Sequence, residues 1–191
     1  VRAKRQRRRT EILHAALRAF RDRGYHGTTL DDIARQLDVR KTALYHYFPD
    51  KEAILYACHR EGLEEVAGII AQALRYASCA DQLAHAIREH VRVMTDTLEG
   101  SSLALEVSAL APRHRSEVIA ARDRYEQALR DIVRRGIAAG ELRAVDPKLA
   151  VFAILGAINW VARWYSPAGS VHPSTLGTHF ADHLLRGLLA S

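Results

Sequence analysis

The chain has 191 residues, 48% of them hydrophobic, which is enough for one or two cores, and 28 Lys and Arg against 22 Asp and Glu for a formal net charge of +6. It shows no Gly-rich phosphate loop, nucleophile elbow, HExxH pair or Cys/His constellation, so neither catalytic residues nor a metal or cofactor site is expected. Its two cysteines, Cys58 and Cys79, have no redox spacing and point to a reducing cytoplasm, and the apolar run 149–158 is too short to span a bilayer. In chain order, the arm VRAKRQRRRT comes first, with six Arg or Lys among its first nine residues. Free of DNA it reads as a solvated, disordered tail; on DNA it would bind phosphates by counterion release and reach along a groove. No apolar stretch follows it, so a secretory leader is not supported. A helix over Thr10 to Arg23 follows, with Ile12, Leu13, Ala16, Leu17 and Phe20 on one face and Gly24 as its stop.

Residues 27–52, GTTLDDIARQLDVRKTALYHYFPDKE, are the densest in meaning. Thr28 or Thr29 caps a short helix with Leu30, Ile33, Ala34 and Leu37 on one face. Asp38-Val39 is a tight turn, since Asp tolerates a left-handed backbone. A second helix from about Arg40 to Tyr47 turns Leu44 inward and offers Arg40, Lys41, Thr42 and His46 outward, and Pro49 ends it. Asp50 then caps the next helix, placing Lys51 at an N-terminus that favours a phosphate. The pattern is a helix-turn-helix, with Arg40, Lys41, Thr42 and His46 toward bases and Thr29, Tyr45, Tyr47 and Lys51 toward phosphates. Charge agrees: residues 1–51 hold 13 Lys and Arg against 6 Asp and Glu, whereas the remainder holds 15 against 16.

These residues resemble the TetR family of bacterial transcription regulators. The family pattern is a Thr-rich start, an Ile-Ala pair, a Gly-Val-Ser turn and a Leu-Tyr-x-Tyr-Phe-x-x-Lys run. Here stand Thr28-Thr29, Ile33-Ala34, Val39, and Leu44-Tyr45-His46-Tyr47-Phe48-Pro49-Asp50-Lys51. The chain departs at Asp38, in place of Gly, and at Arg40, in place of a Ser or Thr cap, which forgoes roughly 1 kcal/mol of capping. The resemblance implies an all-α protein that binds double-stranded operator DNA as a homodimer through its last two helices.

The rest reads helical as well, at 51–77, 80–98, 102–110, 114–138, 147–165 and 175–190, punctuated by Pro112, Gly140, Pro147 and the loop 166–170. We therefore expect a three-helix head over 1–50 and a helical body with its own core over 51–191. Residues 147–165 are apolar on nearly all sides, and 176–189 repeat Leu176, Phe180, Leu184 and Leu188, which suits a four-helix interface between subunits. The alternative is that both helices finish the core of one chain.

Asn159 to Gly169 gathers Trp160, Arg163, Trp164 and Tyr165 at one helix end. It resembles a TetR subgroup that responds to acyl-coenzyme A thioesters of fatty-acid or steroid catabolism. As ligand residues, Arg163 would meet the anionic part, the aromatics would close an apolar tunnel, and Met94 would line it. As packing residues, the same aromatics would join the dimer core and Arg163 would pair with an acid. His85 and His90 could flank a pocket; His179 and His183 have the spacing of a helical metal pair but lack a third ligand nearby. Three functions follow: an effector-released repressor, a constitutive dimeric DNA-binding protein, or a small-molecule body carrying a vestigial head. The intact basic head argues against the third.

Overall fold

The computed structural model describes residues 2–97 and 107–190. Four helices build the head and leave it: α1 Arg2–Gly27, α2 Leu30–Gln36, α3 Lys41–Tyr45 and α4 Lys51–Ala73. Four more complete the body: α5 Cys79–Arg92, α6 Pro112–Ala138, α7 Pro147–Trp164 and α8 Pro173–Arg186. A π turn at Val93–Thr97 continues α5, and a 3-10 turn at Val107–Ala109 precedes α6. The helix expected over 102–110 lies mostly outside the described residues. Among the described residues the only β pairing is an isolated bridge between Leu142 and Leu189, so the all-α reading holds.

Local chemistry explains the head. Gly24, at φ 71°, takes a conformation that L side chains resist, and so stops the regular part of α1 where the sequence predicts. Of the two threonines, Thr29 is the cap: its Oγ1 accepts from Asp32 N at 3.2 Å, and the Asp32 carboxylate accepts from Thr29 N at 2.9 Å. The Thr29 hydroxyl also donates to that carboxylate at 2.7 Å, and this bond, with the one from Thr29 N, holds the Asp32 carboxyl well below the usual carboxylate range. Thr28 is buried instead, donating to Ala19 O at 3.0 Å and Gly24 O at 2.8 Å. Asp38 adopts φ 51°, and Val39 N then donates to Ala34 O at 3.1 Å, which closes the turn.

The arm differs from the sequence-based expectation. Residues from Arg2 onward continue α1 as helix rather than forming a disordered tail. Arg, Lys and Gln are good helix formers, and Glu11 gives the run a local partner: Arg7 lies 3.0 Å and Arg8 2.7 Å from its carboxylate. Arg9 sits over the buried Phe48 ring at 4.6 Å, tying the arm to the head.

The body does not have a core separate from the head. One connected set of buried apolar residues runs from Ile12 to Leu188, because α4 packs on α1 at one end and on α5 and α6 at the other. Cys58 Sγ of α4 lies 4.0 Å from Leu13 O of α1, while Leu63, Val66 and Ile69 continue the same stripe inside the body. Helix α8 lies close on α5: a Cβ at Gly177 would stand 3.0 Å from the Arg88 carbonyl oxygen.

His59 and His90 are both buried. Burial pushes each imidazole down to about 4, with the Arg122 charge adding to the effect at His59. Between pH 6.5 and 4 the unfolded chain therefore takes up protons that the folded chain refuses, and stability falls as pH falls through that window. Each site is worth roughly 3 kcal/mol over the full window. At fixed protein concentration, the urea midpoint should drop clearly between about pH 7 and about pH 5; a flat midpoint would show that both rings take up protons as readily in the folded chain as in the unfolded one.

Candidate functional site

The exposed side of α3 is short and polar. Arg40 precedes it with extended backbone and no capping bond, leaving its guanidinium exposed, as are Thr42, Tyr45 and His46. Leu44 turns inward and is buried, and so is Phe48 one turn later, so the core fixes which side faces out. Lys41 and Tyr47 are half-buried, and Lys41 Nζ lies 3.0 Å from the exposed Asp31 carboxylate. Thr29 is exposed at the start of α2 with its hydroxyl committed to the capping box.

Lys51 does something the sequence does not announce. Its ammonium donates to Tyr25 O and to Thr28 O, both at 2.8 Å, and stands 4.2 Å above the Tyr25 ring. Burial lowers its pKa. Two of its three N–H groups thus hold the chain between α1 and α2, and the third is outside those two bonds. The next residue is an anchor too. Glu52 Oε1 accepts from Ala111 N at 3.0 Å and lies 2.9 Å from His114 Nδ1, both at the start of α6. Tyr56, one turn on, stacks on the His114 ring at 3.9 Å and donates to Glu117. The first turn of α4 therefore grips the head with one residue and the body with the next.

Beyond Tyr56 a groove of about 650 Å³ runs between α4 and α6. Leu63, Ile70, Val118 and Tyr125 make its floor apolar. Arg60 and Arg124 are cations on its walls; Arg60 pairs with Glu64, whereas Arg124 has no ion pair among the described residues. Leu63 and Tyr125 also form the wall of a second, smaller cavity of about 130 Å³ that reaches His90 and α7.

None of the five ligand residues offered by the sequence lines either space. Met94 is buried in the core, at 1% exposure. Trp160 and Trp164 lie 64% and 48% exposed, Arg163 is exposed between them, and half-buried Tyr165 meets Trp164 edge-on at 6.5 Å. The two tryptophans instead continue an outer stripe of α7 begun by Leu149 and Phe152. On α8, His179 and His183 are neighbours, 6.3 Å apart, and no group of three potential metal ligands exists among the described residues. The groove has no local signature: its walls are ordinary helix faces from separate parts of the sequence, residues 56–70 and 117–128.

Comparison with known proteins settles the family. The model for bacterial regulatory proteins of the tetR family matches residues 12–58, and the tetracyclin repressor-like C-terminal domain model matches residues 76–188. The chain belongs to the TetR family. It is accordingly a DNA-binding transcriptional regulator and not an enzyme. Over 193 residues it is 30% identical to the transcriptional repressor KstR2 of Rhodococcus jostii, covering 95% of this chain and 91% of that one. The TetR-family regulator PfmR of Thermus thermophilus superposes with a TM-score of 0.83 at 34% identity, covering 92% of this chain and 97% of the other. AibR, solved with isovaleryl coenzyme A and operator DNA, superposes at 0.79 with 25% identity over 95% of this chain and 98% of its own.

Two outcomes follow for the head of this TetR-family regulator. Lys51→Ala should lower stability by about 2 kcal/mol, since two charge-assisted bonds to carbonyls are lost, and should weaken binding to all DNA sequences alike. Urea unfolding and salt-dependent operator binding test this: unchanged stability with an altered base preference would contradict it. Removing residues 1–9 should cut affinity at low salt and flatten the salt slope while leaving half-site preference intact. A loss of preference at constant affinity, in a binding assay on variant half-sites, would mean the arm reads bases.

Proposed function

We propose that this chain is an effector-released repressor that binds a palindromic operator as a dimer in the cytoplasm. The observation that carries the reading is the placement of an apolar groove, with Arg124 on its wall, along the helix whose first turn anchors the head. On DNA, Arg40, Lys41, Thr42 and His46 face bases, with Tyr45, Tyr47 and the remaining Lys51 proton toward phosphates, and Thr29 joining them once its hydroxyl exchanges Asp32 for a phosphate oxygen. The two recognition helices then sit about 34–36 Å apart to enter successive major grooves.

The effector we infer is an acyl-coenzyme A thioester or a similarly amphipathic acid. Its apolar tail lies on the Leu63–Val118 floor, and Arg124 takes the anionic part in place of Arg163, which the fold leaves on the outer side of α7. The isovaleryl coenzyme A bound to the related AibR supports this chemical class. A ligand wedged between α4 and α6 strains the Glu52–His114 contact, tilts α4 and carries Lys51 and the head with it. A difference of about 3 kcal/mol between two poses of α4 lowers operator affinity roughly a hundredfold. A constitutive DNA-binding protein would need no groove on that helix, which is why we favour the responsive reading.

The outer stripe of α7 supports the dimer. Leu149, Phe152, Trp160 and Trp164 expose one apolar face, whereas the inward residues Val151, Ile154, Ile158 and Val161 are buried within the chain. On α8, Leu176, Ala181 and Leu185 are buried in the chain and the outer positions are mainly polar, so α7 provides the apolar centre and α8 the rim. Trp160→Glu should yield monomers by sedimentation, with operator affinity falling at least about tenfold; an intact dimer would move the interface elsewhere. Acyl-coenzyme A thioesters of graded length, titrated into the operator complex, should release DNA, and Arg124→Ala should need about tenfold more ligand while binding operator normally. Release by no thioester would end the acyl-thioester reading, and an unchanged Arg124→Ala response would end the anchor.

A further inference from the structure

The smaller cavity holds a polar pair, His90 and Tyr125, of which the groove shares only Tyr125. Among the described residues it lies between Leu63 and Val66 of α4, His90 of α5, Tyr125 of α6 and Leu155 of α7. His90 is 3% exposed and Tyr125 9%. The Tyr125 hydroxyl lies 3.1 Å from His90 Nδ1, while His90 Nε2 is buried without a hydrogen-bond partner among the described residues. Imidazole nitrogen is the better acceptor and phenol the better acid, so the hydroxyl donates to Nδ1 and the ring proton sits on Nε2. A buried N–H without a partner is costly, and a cavity lined by His90 itself, with Leu63, Val66 and Leu155 among its walls, gives a ligand oxygen a reason to bind there. His59, outside the lining of this cavity, is a second buried histidine. It lies one turn before Leu63 on the stripe that continues to Val66, and both its buried ring nitrogens lack hydrogen-bond partners among the described residues.

We propose that this cavity is a specificity subsite that receives an uncharged carbonyl oxygen of the effector, which accepts a hydrogen bond from His90 Nε2–H. The subsite selects keto-bearing compounds over plain hydrocarbon chains. Burial that pushes His90 down to about 4 keeps its ring uncharged, so Nε2–H is a neutral donor suited to an uncharged acceptor. Asp123, Glu126, Arg122 and Asn159 also border it, and the two carboxylates outnumber the one guanidinium, which further disfavours an anion. The volume of about 130 Å³ suits one six-membered ring or a branched group of that size, since a protein cavity of about 150 Å³ holds benzene. Leu63 and Tyr125 belong to both spaces, so a group seated here is continuous with a tail in the groove.

The inference rests on the effector-binding role of the body, but its probes carry neither a thioester nor an anion, so it can fail independently of the acyl-thioester reading. Long-range proton–nitrogen NMR of the full chain, labelled at histidine nitrogen, should show the His90 proton on Nε2. Cyclohexanone should shift that resonance, and methylcyclohexane should bind without doing so. In His90→Phe the ratio of ketone to hydrocarbon affinity should fall about fivefold or more, the hydrogen bond being lost while the apolar walls remain. If that variant does not fold, the Nε2–H shift in the unmodified chain decides. An Nε2–H resonance that cyclohexanone leaves unmoved, failure of either probe to bind, or an unprotonated Nε2 that responds only to cyclohexanol would each overturn the proposal.

Discussion

The first turn of α4 is the constraint on which the rest of the molecule depends. Lys51 fastens the α1–α2 connection through two carbonyls, and Glu52 fastens the start of α6 through a backbone N–H and His114. Because these residues are adjacent on one helix, the head cannot turn relative to α6 without breaking a charge-assisted contact on one side. Such contacts are worth more than the exposed ion pairs elsewhere on the surface, where solvent screening leaves little net gain. The continuous buried cluster from Ile12 to Leu188 agrees with this: α4 is a shared wall rather than a linker.

That architecture separates two kinds of recognition by charge. The positive excess lies before residue 52, where Arg40, Thr42 and His46 stand exposed above a core of Leu44 and Phe48. The body is nearly neutral, and its unusual polar groups are inside it, in His59, His90 and Tyr125. A head built this way gains affinity from phosphates and specificity from a few side chains. A body built this way gains specificity from hydrogen bonds that water does not contest.

Much of the head was legible because its signals are local. The stop at Gly24, the left-handed Asp38 and the Asp50 cap each depend on one residue and its near neighbours. The arm misled because six positive charges read as a solvated tail, while Glu11 and the Phe48 ring supply the compensation. Lys51 carries more than its sequence position announces. Its position at a helix start is read from sequence, but the carbonyls it binds lie 26 and 23 residues away, and no periodicity reports them. The same holds for the groove, whose walls meet only in three dimensions. The apolar run of α7 announced a helix, but not which of its sides faces the chain's own core; Trp160 and Trp164 fall on the exposed one.

The central claim is that a ligand between α4 and α6 moves the head through Lys51 and Glu52. The most direct measurement is the distance between spin labels on the two α3 helices of the proposed dimer, taken by pulsed electron resonance with and without an added acyl-coenzyme A thioester. The account predicts a narrow distribution compatible with successive major grooves in the free protein, displaced when the thioester binds, and a much smaller displacement in Glu52→Gln, where the grip on α6 is loosened. Saturating ligand that leaves the distance unchanged, or a Glu52→Gln protein that moves as the unmodified protein does, would contradict it.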